Sequence, residues 1–396
     1  MADLFKSYID MKLGALSIPS WLADYKRSEF KRFRELPFEV NPLFKKEAEI
    51  REKLLIDEES ILDSIMNSKL EGSVEYTFER KGSGIEERDI LSDADDELLK
   101  GLIMRENSPA DKLQCLNNAL FATGKFVYIS DRGAGDMTVT ERTTGAFEIS
   151  KDVFYVGRGA KARLSLRFEN ERKDARVYKN IDVFVEEGGD LDILMFQRLG
   201  SDAIVSINLD VYAGGNVNLV SVDDGGGKVR YRIYAGLLKE GIAYDQNSIM
   251  IGRKTKDADV VNLVTHIGRG TKSSVNFRIS ADDGSKFAIK DVITIEEGAG
   301  GSDAFLSSNG MILSENAKIN SIPALEIKVS DVKAKHSAST RHLDYSEELY
   351  SMSRGLDEEK TKGLLLKGFL TGQLNMKDRS ITELIEAAID GGEPSK

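Results

Sequence analysis

Two textures alternate along this chain. Through the first 113 residues apolar side chains recur at helical spacing among many charges. Ser20 to Arg34 carries Trp21, Leu22, Tyr25, Phe30 and Phe33 in that way, which predicts an amphipathic helix. Leu36-Pro37 should end it, because the residue before proline is pushed out of the helical region. Residues 41–68 hold two more short helical patterns, Ser92 to Glu106 another, and Asp111 to Thr123 a further one that Gly124 should stop. After residue 342 the helical period returns, over Tyr345 to Arg354, Asp357 to Thr371 and Ser380 to Asp390. Ser380 with Glu383 has capping-box spacing, and residues 391–396 should be unstructured.

Between these ends the pattern is one of strands. Short alternating runs are broken by glycine or by acidic pairs, as in the segments starting at Val156, Ile181, Leu209, Phe277, Val292 and Met311. Glycine serves such turns because it enters positive φ without steric cost. The turns recur about every 14 to 30 residues, the spacing of a solenoid built from strand–turn–strand units. A Greek-key sandwich would also give short strands with frequent turns. The pattern favours a mainly β chain with a β-helix over residues 125–342, a helical region over 1–124 and another over 343–396.

Composition narrows the partners. The chain has 396 residues, 41% hydrophobic, and a formal net charge of -11. Such a balance offers no global field for a phosphate backbone or an anionic membrane, so neither nucleic acid nor membrane is expected as partner. No apolar run approaches a membrane span, and the charged N-terminus does not read as a signal peptide. The single cysteine, Cys115, fits a reducing cytoplasm. One thiol also cannot hold an iron–sulfur cluster with the usual four thiolates. It reads as a buried helix residue.

Catalytic chemistry is thin. The three histidines, His266, His336 and His342, lie in no HExxH, and no CxxC exists, so no zinc site is legible. Gly268 to Ser273 imitates a phosphate loop, but Thr271 stands between glycine and lysine, and a turn between strands is the better reading. The acidic pairs Glu186-Glu187, Asp223-Asp224, Asp282-Asp283 and Glu296-Glu297 keep a carbohydrate-active β-helix enzyme in view. All four precede glycine, however, where acidic residues serve turns. The chain reads as a non-enzyme.

The C-terminal third is specific. Leu313-Ser314, Pro323, Leu325-Glu326-Ile327, Asp331-Val332, His336-Ser337-Ala338, Tyr350, Arg354-Gly355 and Gly368-Phe369 resemble, in order and spacing, the signature of the SufB/SufD family of iron–sulfur cluster assembly proteins. Weaker likeness covers Trp21 with Phe33 and Leu36-Pro37, Leu116-Asn117 with Val127-Tyr128-Ile129, and His266 with Ser273-Ser274. The resemblance implies a right-handed parallel β-helix flanked by helical ends. It implies a SufC-type ATPase docked on the C-terminal helices, at Leu343, Leu349, Tyr350, Arg354, Gly355, Leu364, Lys367 and Phe369. It implies a SufB-like subunit, or a second copy, paired through the solenoid. His336 would be the metal-facing residue near the assembly site, with no cofactor stably bound by this chain alone and an iron–sulfur cluster carried transiently by the complex. In SufB a glutamate follows the histidine and a cysteine lies on a preceding strand. Here Ser337 follows, and Ser307-Ser308-Asn309-Gly310 lacks a thiol, which points to the SufD side. SufD members usually have glycine where Ser337 stands. A homodimeric adaptor without metal contact is the alternative from another class.

Overall fold

A computed structural model describes residues 18–38, 56, 74–105, 108–170, 172–225, 227–253, 256–372 and 379–390. The chain is a parallel β-solenoid between helical ends. The helical patterns of 41–68, apart from Ile56, and the tail 391–396 lie outside the described residues.

Consecutive strands alternate between two ladders. One, the odd ladder, stacks β3 (Phe147–Val156), β5 (Arg176–Val185), β7 (Ile204–Ala213), β9 (Lys228–Leu237), β11 (Asp257–His266), β13 (Lys286–Ile295) and β15 (Lys318–Ile327). The other, the even ladder, stacks β4 (Lys161–Asn170), β6 (Asp190–Arg198), β8 (Asn216–Asp223), β10 (Ala243–Gly252), β12 (Lys272–Ala281), β14 (Asp303–Ile312) and β16 (Lys333–His342). The long β2 (Lys125–Thr143) joins them, pairing with β3 through its first residues and with β4 through its last. All these pairings are parallel, which rules out the Greek-key sandwich. Each coil has two corners, so the register advances by 24 residues from Ile204 to Lys228 and by 32 from Lys286 to Lys318.

Glycine makes one corner repeatable. After β3, β5, β9, β11 and β13 the turns place Gly159, Gly188, Gly241, Gly270 and Gly301 at φ +62, +70, +73, +63 and +79. The amides of Gly159, Gly241, Gly270 and Gly301 reach the next coil: Gly159 N–H donates to Glu187 O at 3.1 Å, and Gly270 N–H to Gly300 O at 3.0 Å. The phosphate-loop imitation, Gly268 to Ser273, spans one of these corners and runs into β12.

Inward side chains of both ladders fill a continuous apolar core from Val127 to Ile319. Helices cover the outer faces. α1 (Ser20–Glu35), α2 (Glu97–Ile103) and α3 (Lys112–Leu120) bury Leu22, Phe33, Leu99 and Leu116 with the outward Tyr178, Tyr212 and Tyr234 of the odd ladder. That is why β5 is buried on almost every residue and loses the period-two signal. α4 (Tyr345–Ser353), α5 (Glu358–Thr371) and α6 (Arg379–Asp390) follow β16, and Leu366, Leu370, Leu384 and Ile385 lie against Phe196, Val222 and Ile249 of the even ladder.

Three local expectations change. The first 113 residues are not helical throughout, because β1 (Val74–Asp89) runs antiparallel along β2. α3 ends at Leu120, where Phe121 turns extended, so Gly124 does not stop it. Gly124 instead lets the backbone pass Lys151, whose carbonyl oxygen would stand 1.7 Å from a Cβ there. Finally, α6 starts at Arg379, so Ser380 lies inside its first turn and not ahead of it.

Candidate functional site at the open end of the solenoid

The even ladder carries an inward column through Leu164, Ile193, Leu219, Gln246, Val275 and Leu306. The next position in register is His336. Its predecessors are buried in the core, and Leu306 directly beneath is 0% exposed. His336 is exposed because β16 is the last strand of its ladder and no coil among the described residues covers it. The imidazole therefore occupies a core position at an uncapped end. β15 closes the same coil, with Leu325, Val329, Val332 and Ala334 half-buried around the rim.

The surroundings of His336 are hydroxyl-rich and carry no thiol. Ser308 and Ser321 share a hydrogen bond at 2.9 Å, and Ser307 and Ser337 lie 3.4 Å apart. Ser339 Oγ donates to Asn309 Oδ1 at 2.6 Å. Cys115, in α3, is buried far along the chain from this rim, and burial pushes its thiol well above the ordinary value. Among the described residues no group of three or more His, Cys, Asp or Glu side chains is arranged to hold a metal ion.

The other histidines play different parts. His266 is fully buried, with Nδ1 2.7 Å from Thr271 Oγ1 and Nε2 2.8 Å from Ser273 Oγ. It pins a corner, and burial holds its pKa down at about 4. His342 ends β16 six positions past His336, too far along the strand to share a ligand with it.

The eight expected docking residues separate into two sets. Leu349, Tyr350 and Leu364 are 47%, 63% and 55% exposed, and Met352 joins them at 41%. Arg354 Nη2 donates to Tyr350 Oη at 3.1 Å and its guanidinium stacks on the ring at 5.2 Å, which stiffens this face. Gly355, at φ +93, turns the chain between α4 and α5. The other three are engaged within the chain. Leu343 packs against the even-ladder cluster, Lys367 pairs with Glu386 of α6, and Phe369 lies under the Arg278 guanidinium at 5.0 Å.

The acidic pairs do not converge. Glu186-Glu187 and Glu296-Glu297 follow β5 and β13 on one corner, while Asp223-Asp224 straddles the end of β8 and Asp282-Asp283 follows β12 on the other. Asp223 is held by Lys256 at 2.6 Å and Asp224 by Arg198 at 2.6 Å. No pair shares a cleft with another, so the glycosidase geometry is not met among the described residues. Other buried charges are likewise paired: Arg230 with Asp111 at 2.7 Å, Arg232 with Asp210 at 2.6 Å, Lys151 with Asp182 at 2.5 Å. They tie the N-terminal helices and neighbouring coils together.

Sequence reasoning missed two features. Arg253 donates to the carbonyls of Ala388 and Ile389, the latter at 2.6 Å, and Arg198 approaches Ala387 O at 3.5 Å. Both arginines thus bind the C-terminus of α6, where helix carbonyls lack partners. Asp291 is the second: it points into the core, fully buried, and accepts one bond from Asn262 Nδ2 at 2.7 Å. An arginine just after a strand and an aspartate in an inward register were the available signals.

Among the described residues, a coil stack with an uncovered last coil, a rim histidine and helices with exposed apolar side chains beside it define a β-solenoid platform. The chain belongs to the SufB/SufD family: residues 139–369 match the SufBD core domain of SUF system FeS cluster assembly. It is similar to the iron–sulfur cluster assembly protein SufD of Bacillus subtilis, 28% identical over 139 residues, covering 35% of this chain and 32% of that protein. It is also similar to SufBD family iron–sulfur cluster assembly proteins of Staphylococcus saprophyticus and Staphylococcus aureus, at 21% and 22% identity over 314 residues. Those matches cover 75% of this chain and 66% of each relative. The chain thus spans about one third to two thirds of the length of these relatives. No described helix is long and apolar enough to cross a membrane.

Proposed function

We infer that this chain is a SufD-type, non-ATPase subunit of a SufB–SufC–SufD assembly complex in the cytoplasm. The observation that carries this is His336 at a core position on the uncovered last coil. Coverage by a SufB-like solenoid end would leave the imidazole facing the partner across the joint. Neutral imidazole is a competent iron ligand, and thiolate binds iron and sulfide more strongly. The division of labour would be a cysteine from the SufB-like subunit and one histidine from this chain, with the nascent cluster as cargo and not as a resident cofactor.

A SufC-type ATPase would dock on Leu349, Tyr350, Met352 and Leu364. Exposed apolar side chains on adjoining helices are a partner surface. Leu343, Lys367 and Phe369 would act behind that surface, holding the helices on the solenoid so that ATPase movement reaches the frame. Co-expression with SufB- and SufC-type proteins tests the assignment. A ternary complex should be captured, and Tyr350→Ala with Leu364→Ala should lower the ATPase recovered while SufB-like capture persists. Isolation of a stable homodimer with neither partner would contradict it.

A further inference from the structure

Arg230 and Arg232 are buried against Asp111 and Asp210. Arg278 is treated differently. It stands on the outer face of β12, between the inward Phe277 and Ile279, and is half-buried. Its Nε is sealed from solvent and has no hydrogen-bond partner. Among the described residues it makes no ion pair, and the Phe369 ring of α5 lies 5.0 Å from it. Burial lowers its pKa, and no neighbouring charge opposes that.

The groups around it are engaged elsewhere. In register Arg278 lies between Ile249 and Asn309. Asn309 donates its amide to Ser307, and its oxygen accepts from Ser339. The acids of the covering helices have cations of their own: Asp357 has Lys360, Glu358 has Lys362, Glu386 has Lys367 and Glu347 has Arg341. Glu359 stands ten residues from Phe369, about 15 Å along α5.

A guanidinium keeps its charge at any pH the protein meets, so partial burial without an anion is an uncompensated cost. An aromatic face attracts the cation but leaves that charge in place. A carboxylate would remove the cost, because the planar fork donates two parallel hydrogen bonds to one carboxylate.

Position says where the carboxylate comes from. Leu364, 55% exposed, lies five residues from Phe369, about 7.5 Å along the same helix. A standard interface covers about 800 Å² on each partner, so a protein seated on Leu349, Tyr350 and Leu364 reaches Arg278 as well. We propose that Arg278 is a carboxylate receptor at the rim of the docking surface, and that an Asp or Glu side chain of the docked ATPase seats on its guanidinium. This rests on the reading that an ATPase docks on α4 and α5, and it adds one charged, oriented anchor to an apolar patch. Apolar contacts set how much surface is buried, and a two-point ion pair sets the angle at which the partner sits.

Arg278→Gln and Arg278→Lys are compared with the unaltered chain in titrations against the ATPase at low and high salt. The receptor predicts affinity at least about tenfold lower for Arg278→Gln, with a flatter salt dependence, and partial retention by lysine. The free chain should melt no lower with glutamine there, since the substitution removes an unpaired charge. Carbodiimide labelling of the ATPase, read by mass spectrometry, should find an Asp or Glu protected in the unaltered complex and labelled in the Arg278→Gln complex. Equal affinity and salt dependence for the two chains would overturn the receptor. So would a lower melting temperature with faster amide exchange over 358–371, since Arg278 would then serve only to seat α5. Stabilisation by inorganic sulfate that is lost in Arg278→Gln, with ATPase affinity unchanged, would overturn it in favour of a free anion. Failure of the unaltered chain to bind the ATPase at all would overturn the docking reading and the receptor with it.

Discussion

Two side chains that ionise inside the solenoid should shape its pH response in opposite directions. Asp291 is buried with no cation beside it, and burial pushes its carboxyl from an ordinary 3.8 up to about 7. The native state then keeps a proton that the unfolded chain has lost, so stability falls as pH rises from about 4 to about 7. Asp291→Asn, whose amide oxygen can still accept from Asn262, should melt like the unaltered chain at pH 4 and above it from pH 7 upward. The gap should be a few kcal/mol at most, at about 1.4 kcal/mol per pH unit. His266 works the other way. Its native value near 4 lies below the ordinary 6.5, so the unfolded chain binds the extra proton and stability is lost as pH falls from 6.5 to 4. His266→Gln should flatten that acid limb in denaturant titrations across pH. His266 stood out in the sequence with Ser273-Ser274, but Asp291 does not announce itself there. Asp291 is one aspartate among many, and its inward position depends on the register with Asn262 and Pro323.

At the scale of elements, the corners and the last helix carry the testable load. A Cβ at Gly270 would meet nothing within 4 Å, so Gly270→Ala should cost only the left-handed backbone strain, about 1 kcal/mol. Gly215→Ala would put its Cβ 2.1 Å from Gly189 O of the neighbouring coil and should cost distinctly more in thermal denaturation. Arg253→Gln should weaken the hold on the α6 carbonyls, with hydrogen exchange over 379–390 about tenfold faster and the solenoid strands unchanged. Much of this level was legible. Acid–glycine pairs marked corners such as Glu186 to Gly189, and the helical period marked α1, α4 and α5 within one or two residues. The misses have causes. β1 is a charged edge strand whose partner lies about fifty residues on, and edge strands read as polar. β9 is buried on both faces, so alternation disappears, while β5 and β7, buried likewise, were legible only from Ile181 and Leu209 onward. Lys179 and Arg230 carry no signal of burial in the sequence, yet each is buried against a carboxylate from another coil or helix.

Among the described residues the molecule is a frame with two helix-covered faces and an open last coil. Helices close the outer face of the odd ladder at one end and that of the even ladder at the other, and no described residue covers the last coil. The family signature marked this end in the sequence, since Pro323, His336 and Arg354-Gly355 all fall there. It did not say that His336 continues a buried column, because that follows only from the stacking of β16 on β14. The central claim is that this imidazole serves cluster assembly across a subunit joint. Anaerobic purification of the complex with SufB- and SufC-type partners, with and without His336→Ala, tests it by iron and sulfide content. The account predicts that the variant complex assembles in normal subunit proportions yet holds severalfold less iron and sulfide. Equal iron and sulfide in the two complexes would contradict it.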